Sequence, residues 1–390
     1  MGDNQHHQDG TKNVHAGTNH VGESVNTPIF LSSTYKLTEE RYAGWAAGAQ
    51  HTLLYSRLSS VNSDAVAQKI CAMEGGEDAE TFASGMAAIS STLMMLLSQG
   101  DHMVASADVY GGTYGLITAE LPRFGIETTM ADMTDPSSYE AAIQPNTKIL
   151  YIETITNPNL KVCDIPAMVE LGKRHNLIVI IDNTFASPWA CKPLSMGVDL
   201  VIHSTTKYLG GHSDLIGGAV VGSKELISKI FMGRVHFGGS PDPHNCYLLE
   251  RGMRTLHARM PLLTSNAATL AQRLDTHPKV VRVQHVSLPS HTEYEVAQRV
   301  VPKGCGMLGI VVAGGDEGAM DFMAKLKLFY EATSLGGVES LIEVPATSSH
   351  MAVPVDVRIA AGIEPGYVRI SVGIEDVEDL WNDLNQALSQ

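Results

Sequence analysis

The sequence contains little positive charge. Its 390 residues include 27 Lys and Arg against 42 Asp and Glu, which gives a formal net charge of −15. Nucleic acids and anionic membranes are themselves negatively charged, so they repel a chain of this composition. The charge balance therefore argues against nucleic acid or membrane as the main partner. A local pocket of positive charge for one small phosphate stays compatible with it.

Long apolar segments and paired cysteines are also missing. No uninterrupted run reaches the roughly 18 apolar residues of a membrane span, and the polar start MGDNQHHQDG lacks the apolar core of a secretory signal. The five cysteines include no Cys-x-x-Cys pair, which predicts neither a zinc site nor a disulfide framework and favours a cytoplasmic location. His6 and His7 allow a weak metal tract, but a solvated tail is the favoured interpretation. We expect no metal site.

The segment from about residue 76 to 222 alternates between strand-like and helical patterns. Strands that are apolar throughout and separated by helices are typical of a mostly parallel sheet covered on both faces. Such a sheet binds its ligands beyond the carboxyl ends of its strands, so the residues that follow each strand are the first candidates for a site. The predicted strands cover 102–107, 125–131, 147–154, 177–182 and 199–204.

A lysine and an aspartate lie at this edge of the predicted sheet. Lys207, in HSTTKYLGGHSD, can form a Schiff base with pyridoxal phosphate, with Ser204 and Thr206 holding the phosphate. A solvated loop lysine is the alternative. Asp182 closes an apolar strand, and a buried carboxylate there would keep the ring nitrogen of this cofactor protonated. Capping of the turn that follows is the alternative role for Asp182.

Other residues suit a phosphate group and an aromatic ring. Gly85 and Met86 open an apolar helix, whose first N–H groups attract an anion; a serine helix cap is the alternative interpretation. Tyr55 and Arg57 offer a phenol and a guanidinium that suit a phosphate dianion. Tyr110 lies beside two glycines, where it suits stacking on a cofactor ring or simple packing.

The pattern changes near residue 245, where helical stretches give way to isolated strands and a terminal amphipathic helix. This predicts three regions. Residues 1–55 form an arm that contacts a neighbouring subunit, residues 56–245 form the cofactor-binding domain, and residues 246–390 form a smaller α+β domain. The expected fold class is α/β, because the larger domain alternates strands with helices.

Seven motifs resemble the Cys/Met-metabolism family of pyridoxal-phosphate enzymes, and the resemblance extends over nearly the whole chain. They are YSR, FASGMAAI, DVYGGTY, ETITNPNLKVCDI, DNTFASP, HSTTKYLGGHSD and SLGGVESL. The family includes cystathionine γ-synthase, cystathionine γ-lyase, methionine γ-lyase and the homoserine sulfhydrylases. The resemblance implies the aspartate-aminotransferase fold, called fold type I, and a homotetramer built from two catalytic dimers.

The resemblance also implies a role for each matching residue around the cofactor. Lys207 is the Schiff-base lysine and the proton shuttle. Asp182 pairs with the ring nitrogen and Asn157 with the ring hydroxyl, while Tyr110 stacks on the ring and donates a proton to the leaving group. The residues implied to bind the phosphate are Gly85, Met86, Ser204 and Thr206, joined by Tyr55 and Arg57 of a neighbouring subunit.

On the substrate side, the resemblance places Arg369 at the α-carboxylate with Ser334 beside it. Family members that hold a distal carboxylate carry arginines where this chain has Leu58 and Gly115. The cystathionine γ-enzymes also carry a glutamate where this chain has Thr333. Losing a bidentate arginine in a desolvated pocket costs a few kcal/mol of binding to a second carboxylate. A substrate without a distal carboxylate is therefore expected.

We thus expect a lyase that eliminates the γ-substituent of an L-amino acid. Methionine-like and homocysteine-like molecules are the default substrates, and canavanine or O-acetylhomoserine suits the same mouth. Gly112 stands where a typical methionine γ-lyase has a cysteine. The alternatives are cystathionine γ-lyase activity and γ-replacement of the cystathionine γ-synthase or O-acetylhomoserine sulfhydrylase type. An inactive scaffold protein is disfavoured, because Lys207, Asp182 and Arg369 are all present.

Overall fold

The computed structural model describes residues 7–348, 358–359 and 362–389, so that His6 of the predicted tail lies outside the described residues. The strands are β1 Asp78–Phe82, β2 His102–Ser106, β3 Glu127–Ala131, β4 Thr147–Glu153, β5 Ile178–Asp182, β6 Leu200–Ser204, β7 Gly218–Gly222, β8 Val280–Gln284, β9 Met307–Val312, β10 Tyr330–Glu331, β11 Leu341–Glu343 and β12 Tyr367–Ser371. The helices are α1 Asp9–His15, α2 Glu39–Ala46, α3 Val61–Glu74, α4 Gly85–Leu96, α5 Gly111–Gly115, α6 Pro136–Ala142, α7 Ile165–His175, α8 Ser187–Ala190, α9 Lys224–Phe237, α10 Pro243–Arg254, α11 Leu256–Leu274, α12 Tyr294–Val300, α13 Gly315–Ala324 and α14 Val377–Ser389.

The larger sheet has seven strands in the order β1-β7-β6-β5-β4-β2-β3. The strands from β6 to β3 are parallel to their neighbours, whereas β7 runs antiparallel to both β6 and β1. The predicted α/β class and the mostly parallel sheet are therefore confirmed. Each of the five predicted strands corresponds to an observed one, but β1 and β7 were not predicted.

Helices cover both faces of this sheet. Alternate side chains of β4 enter separate cores: Leu150 and Ile152 pack with α3 and α7, while Ile149 and Tyr151 pack with α4 and α9. Because both faces are buried, neither face needs polar residues, and the strands appear in the sequence as continuous apolar runs. The carboxyl ends of β4, β5 and β6 are left open between the helices, and they face the smaller sheet.

The smaller sheet has five strands in the order β10-β11-β12-β9-β8, mostly antiparallel. Its core includes residues of α11, α13 and α14, so the predicted α+β character of this region is confirmed. The domain boundaries given above stay a prediction. Across the described part of the chain, no helix has both the length and the apolar character needed to cross a membrane.

The N-terminal region contains more regular structure than its sequence indicates. The short helix α1 packs on α3, α10 and α11, and the Lys69 ammonium donates to the carbonyls of Asn13 and Val14, at 3.1 and 3.3 Å. Helices this short depend on tertiary contacts and leave little periodicity in a sequence. Beyond α1, the chain leaves large apolar side chains exposed at Val21, Val25, Leu31, Leu37 and Tyr42.

Candidate active site

A cavity of about 730 Å³ opens at the carboxyl ends of β4, β5 and β6. The larger domain contributes to its lining most of the residues predicted for the cofactor, namely Gly85, Met86, Tyr110, Asn157, Asp182, Ser204, Thr206 and Lys207. The smaller domain contributes the predicted substrate residues Thr333, Ser334 and Arg369. Strand ends that are distant in sequence thus converge on one cavity, as the topology of the sheet requires.

Lys207 follows β6 and points into the cavity. Its ammonium donates to the hydroxyl of Ser334 at 2.6 Å, and Ser334 adopts a left-handed backbone conformation with φ of 84°. Burial lowers the pKa of Lys207 to about 8; the positive charge of Arg369 adds to the decrease and Glu343 opposes it. About a tenth of this amine is therefore neutral at pH 7, far more than for an ordinary lysine, and the neutral amine is the form that acts as a nucleophile or a base.

Asp182 ends β5 as a buried carboxylate. Its Oδ1 accepts hydrogen bonds from the backbone N–H and the hydroxyl of Thr184, at 3.0 and 2.5 Å. Burial raises the pKa of Asp182 against these hydrogen bonds. None of the ion pairs found within the described residues involves this carboxylate. A cationic ring nitrogen in the cavity would supply the partner that a buried carboxylate needs, so Asp182 fits pyridoxal phosphate.

The N-terminus of α4 forms a cradle against Ser204. The hydroxyl of Ser84 caps the helix by accepting from the N–H of Ala87 at 3.0 Å. A Cβ atom on Gly85 would lie only 2.9 Å from Cβ of Ser204, so glycine alone allows this close approach. The first N–H groups of the helix have no partner within it and attract an anion. The cradle therefore fits a phosphate group.

Glu153 holds two other residues of the cavity, although no role was predicted for it. Its Oε1 accepts from the N–H of Tyr110 at 2.6 Å, and its Oε2 accepts from the N–H of Asn157 at 3.3 Å. Burial raises the pKa of Glu153 well above its usual value, and the nearby Asp182 adds to the increase. The only signal in the sequence was the place of Glu153 at the end of a predicted strand.

Arg369 lies on β12 with its guanidinium almost fully buried. It donates to Asn157 Oδ1 and to the carbonyl of Ser334, both at 2.7 Å, and it pairs with Glu343 at 2.7 Å. Burial lowers the pKa of Arg369, whereas Glu343 opposes that decrease. Glu343 was not predicted. It lies on β11, opposite Arg369 on the adjacent strand β12, and no strand was predicted at β11.

Four predicted residues do not line this cavity. Tyr55 and Arg57 are exposed at the surface, where the Arg57 guanidinium donates to the carbonyl of Val235 at 2.6 Å. Leu58 lies on the same segment, and Gly115 is exposed with open space around it. The roles of Tyr55 and Arg57 in a neighbouring subunit therefore stay predictions. In the ranges that the structure describes, no group of three or more His, Cys, Asp or Glu side chains is arranged to hold a metal.

Comparison with known proteins agrees with this geometry. The family model for Cys/Met metabolism PLP-dependent enzymes matches residues 10–389. The chain is 43% identical over 368 residues to cystathionine gamma-lyase of Bacillus subtilis, with 94% of each chain covered. It is 40% identical over 384 residues to L-methionine gamma-lyase of Porphyromonas gingivalis, covering 97% of this chain and 96% of that one. Cystathionine gamma-lyase from Lactobacillus plantarum, solved with L-serine, matches with a TM-score of 0.93 and 38% identity over 98% of this chain and 99% of that one.

These findings confirm the predicted fold type and the predicted cofactor, pyridoxal phosphate. They also confirm the prediction of a pyridoxal-phosphate-dependent carbon–sulfur lyase. The Schiff-base lysine, the partner of the ring nitrogen and the phosphate ligands stay predictions at the level of single residues. The family match over nearly the full length, together with identities of 40% and more, shows that the chain belongs to the Cys/Met metabolism PLP-dependent enzymes.

Proposed function

We propose that this enzyme eliminates the γ-substituent of an L-amino acid that lacks a distal carboxylate. One observation supports the proposal above others. Lys207 and Arg369 are the cationic side chains among the described residues that line the cavity. Arg369 is implied to hold the substrate α-carboxylate and Lys207 to perform the chemistry, so neither is free to bind a second carboxylate.

The residues of the cavity suit this reaction. Pyridoxal phosphate, when bound, withdraws electrons from the bonds at the substrate Cα and so acidifies its proton. The amine of Lys207, with its pKa lowered to about 8 by burial, accepts that proton and returns it elsewhere on the substrate. Ser334 holds Lys207 in place, and the Tyr110 phenol protonates the departing group. Asp182, Gly85, Met86 and Ser204 would hold the cofactor.

Among the described residues, four uncharged side chains of the cavity lining form what we call its mouth. Thr333, Thr347, Ser348 and Ile216 line it, and they offer hydroxyl groups and apolar surface without a formal charge. This lining favours a substrate whose γ-substituent is uncharged and of modest size. Methionine and homocysteine meet that description, and so does O-acetylhomoserine; canavanine, with an oxygen at Cγ, is a further candidate.

Two alternatives remain in competition with this proposal. The Bacillus subtilis relative is named cystathionine gamma-lyase, which supports cystathionine as the substrate despite the neutral mouth. The second alternative is γ-replacement of the cystathionine γ-synthase or O-acetylhomoserine sulfhydrylase type, in which a sulfur nucleophile adds after the leaving group departs. Nucleophile access and pocket water decide between elimination and replacement, and the fold is the same for both.

The proposal includes a homotetramer of two catalytic dimers in the cytoplasm. Tyr55 and Arg57 are exposed in the single chain, and the arm before them exposes large apolar side chains. Both features support an interface with a second copy of the chain. The cytoplasmic location is supported by the five cysteines, all of which are free thiols.

A substrate screen tests the proposal. γ-Substituted amino acids with and without a distal carboxylate are supplied to the enzyme, and 2-oxobutanoate and ammonia are measured. We expect kcat/KM for methionine, homocysteine or O-acetylhomoserine to exceed that for cystathionine by roughly tenfold or more. A strong preference for cystathionine would contradict our interpretation of Leu58, Gly115 and Thr333.

Two further measurements belong to the same experiment. With methionine or O-acetylhomoserine as the substrate, added sulfide separates the reaction types, because unchanged formation of 2-oxobutanoate indicates elimination and substantial homocysteine indicates replacement. The Lys207→Ala variant should lose turnover by about a thousandfold or more, since it removes both the nucleophile and the proton shuttle. Ser348→Ala, at the mouth, serves as its comparison and should alter KM more than kcat. Full turnover by Lys207→Ala would contradict the scheme.

A further inference from the structure

The segment from His51 to Ser59 is attached to the larger domain through four charged side chains. We call His51, Asp64, Glu80 and Arg234 the clamp. They come from distant parts of the chain, since Asp64 lies on α3, Glu80 on β1 and Arg234 on α9. Neither the sequence motifs nor the proposed reaction assigns a role to any of the four.

The clamp pairs its two cationic groups with its two carboxylates. The guanidinium Nε of Arg234 lies 3.2 Å from Glu80 Oε2, and both side chains are almost fully buried. The His51 ring lies between the carboxylates, with Nδ1 at 3.1 Å from Asp64 Oδ1 and Nε2 at 3.5 Å from Glu80 Oε1. Charges are buried in proteins only when paired, so each member depends on the others.

The clamp also binds both ends of the segment. His51 itself begins it. At the other end, Arg234 donates to the carbonyl of Leu58, and the Ser59 hydroxyl donates to Asp64 Oδ2 at 2.6 Å. Between these attachments the chain leaves Tyr55 exposed by 46%, and Arg57 is exposed beside it. The clamp therefore fixes a segment on which Tyr55 and Arg57, the two residues predicted to bind phosphate, are exposed, with the Arg57 guanidinium resting on the carbonyl of Val235 at 2.6 Å.

Stability alone does not explain the clamp. A buried ion pair is often no more stable than apolar residues of similar volume. Here neither carboxylate oxygen of Glu80 makes a well-aligned hydrogen bond within the described residues, nor does Nε of Arg234. His51 in addition adopts a left-handed backbone conformation with φ of 56°, which is unfavourable for a residue other than glycine. These features suit a device that specifies one position of the segment.

We infer that the clamp is a set of positioning residues that hold Tyr55 and Arg57 in the place where they complete the phosphate site of a second copy of the chain. The inference rests on the proposed function, because it requires an active site shared between two copies. Substituting a clamp residue in one chain therefore impairs cofactor binding in the active site of the other chain and leaves the first chain's own site unaffected.

Mixed dimers separate these two sites. One parent carries Lys207→Ala and the other carries Arg57→Ala, and two affinity tags isolate the mixed catalytic dimer. In this mixed dimer only one active site has both Lys207 and Arg57. Its Lys207 comes from the Arg57→Ala parent and its Arg57 from the Lys207→Ala parent. The visible absorbance of lysine-bound pyridoxal phosphate reports that site, because the other lacks the lysine. Titration with pyridoxal phosphate then gives its dissociation constant, with the Arg57→Ala homodimer as the baseline.

Glu80→Gln is then added to one parent at a time. On the Lys207→Ala parent it should raise the dissociation constant by roughly tenfold, because the Arg57 contact with phosphate is misplaced. On the Arg57→Ala parent it should change nothing. Glu225→Gln is the matched control, since Glu225 pairs with Lys229 at 2.9 Å on the exposed side of α9. It should have no effect on either parent.

The possible results are distinguishable. Equal weakening from both parents would show a general structural role and overturn the inference, as would no weakening from either. The mixed dimer without Glu80→Gln tests the shared site itself. If it binds pyridoxal phosphate no better than the Arg57→Ala homodimer, no shared site exists, and the subunit arrangement in the proposed function fails along with the clamp. Should Glu80→Gln prevent folding, the same comparison uses His51→Gln, at the partly exposed rim of the clamp.

Discussion

The space beside the Tyr110 ring is set by a residue without a side chain. A Cβ atom at Gly112 would lie 2.6 Å from Cε1 of Tyr110 and 3.0 Å from Sδ of Met86. Both distances are too short, because real contacts of a Cβ are about 3.4 Å or longer. The Tyr110 ring and the Met86 side chain would therefore have to move. The resemblance implies a cysteine at this position in methionine γ-lyases, and any side chain at 112 in this chain would require a different position of the Tyr110 ring.

We predict that Gly112→Ala displaces Tyr110 and lowers kcat by roughly tenfold, because a misplaced phenol protonates the leaving group poorly. Steady-state kinetics and the visible circular dichroism of the bound cofactor measure the change. Gly44→Ala is the control, because a Cβ there meets its neighbours at an ordinary 3.8 Å or more. Kinetics of Gly112→Ala equal to those of Gly44→Ala would refute the prediction.

Single residues were predictable where position along a strand determined their place. Asp182 ends one apolar strand and Lys207 follows another, and parallel topology alone brings them to one cavity. No role was predicted for Glu153, and Ser334 was predicted only through the family resemblance. Glu153 acts by accepting hydrogen bonds from backbone N–H groups, and Ser334 depends on a left-handed φ. Neither property leaves a recognisable pattern of residue types.

Strands were predictable from the sequence where burial on both faces of the sheet made them uniformly apolar. The runs at 147–154 and 177–182 correspond to β4 and β5, which are buried on both faces. By contrast, β1 has the sequence DAETF, in which Glu80 and Thr81 are buried and polar. A buried glutamate is tolerated here only because Arg234 and His51 pair with it from distant segments. That compensation cannot be seen in a local stretch of sequence.

The clamp makes the attachment of its segment dependent on pH. Burial opposes protonation of His51, but the hydrogen bond to Asp64 and the charge of Glu80 raise the pKa of His51 from 6.5 to about 8. The folded state therefore binds this proton more tightly than the unfolded state. The resulting stabilisation is complete below pH 6.5 and is lost as the pH rises through about 8. Burial also raises the pKa of Glu80, from 4.5 to about 7. Between these two pH values the folded state keeps a proton on Glu80 that the unfolded state has released, so the free energy of unfolding falls as the pH rises through this range.

We predict that His51→Gln reduces the free energy of unfolding at about pH 6 but barely at about pH 9, the difference being about 2 kcal/mol. Urea titrations of the holoenzyme at the two pH values measure it. His236→Gln, which alters an exposed histidine of α9, should show no comparable pH dependence. A His51→Gln effect of the same size at both pH values would exclude the charged ring as its cause.

The whole molecule combines two sheets with an arm that its sequence describes poorly. A second region of α+β character was predicted from the end of the strand–helix alternation, and the five-stranded sheet confirms that character. The boundary near residue 245 stays a prediction. The sequence of the arm has little periodicity, yet the arm contains α1 and α2. Contacts with α3, α10 and α11 support α1, and such long-range support is absent from local propensity.

We predict that the double variant Leu31→Ser, Leu37→Ser weakens self-association. Both side chains are largely exposed in the single chain, by 79% and 64%, and each buried leucine contributes about 2 kcal/mol to an interface. The dissociation constant measured by sedimentation velocity should rise by more than about tenfold. Leu328→Ser, at an exposed leucine of the smaller domain, is the control. Unchanged association of the double variant would remove the arm from the interface.

Thr184 connects the two ends of the cofactor site. Its hydroxyl donates to Asp182 at 2.5 Å and accepts from the N–H of Ser204 at 2.8 Å. The acid implied to meet the ring nitrogen and the loop implied to meet the phosphate are therefore held at a constant separation by a single threonine. An analogue with a longer arm between ring and phosphate would satisfy one end at the expense of the other. The site would then select its cofactor by length as well as by charge.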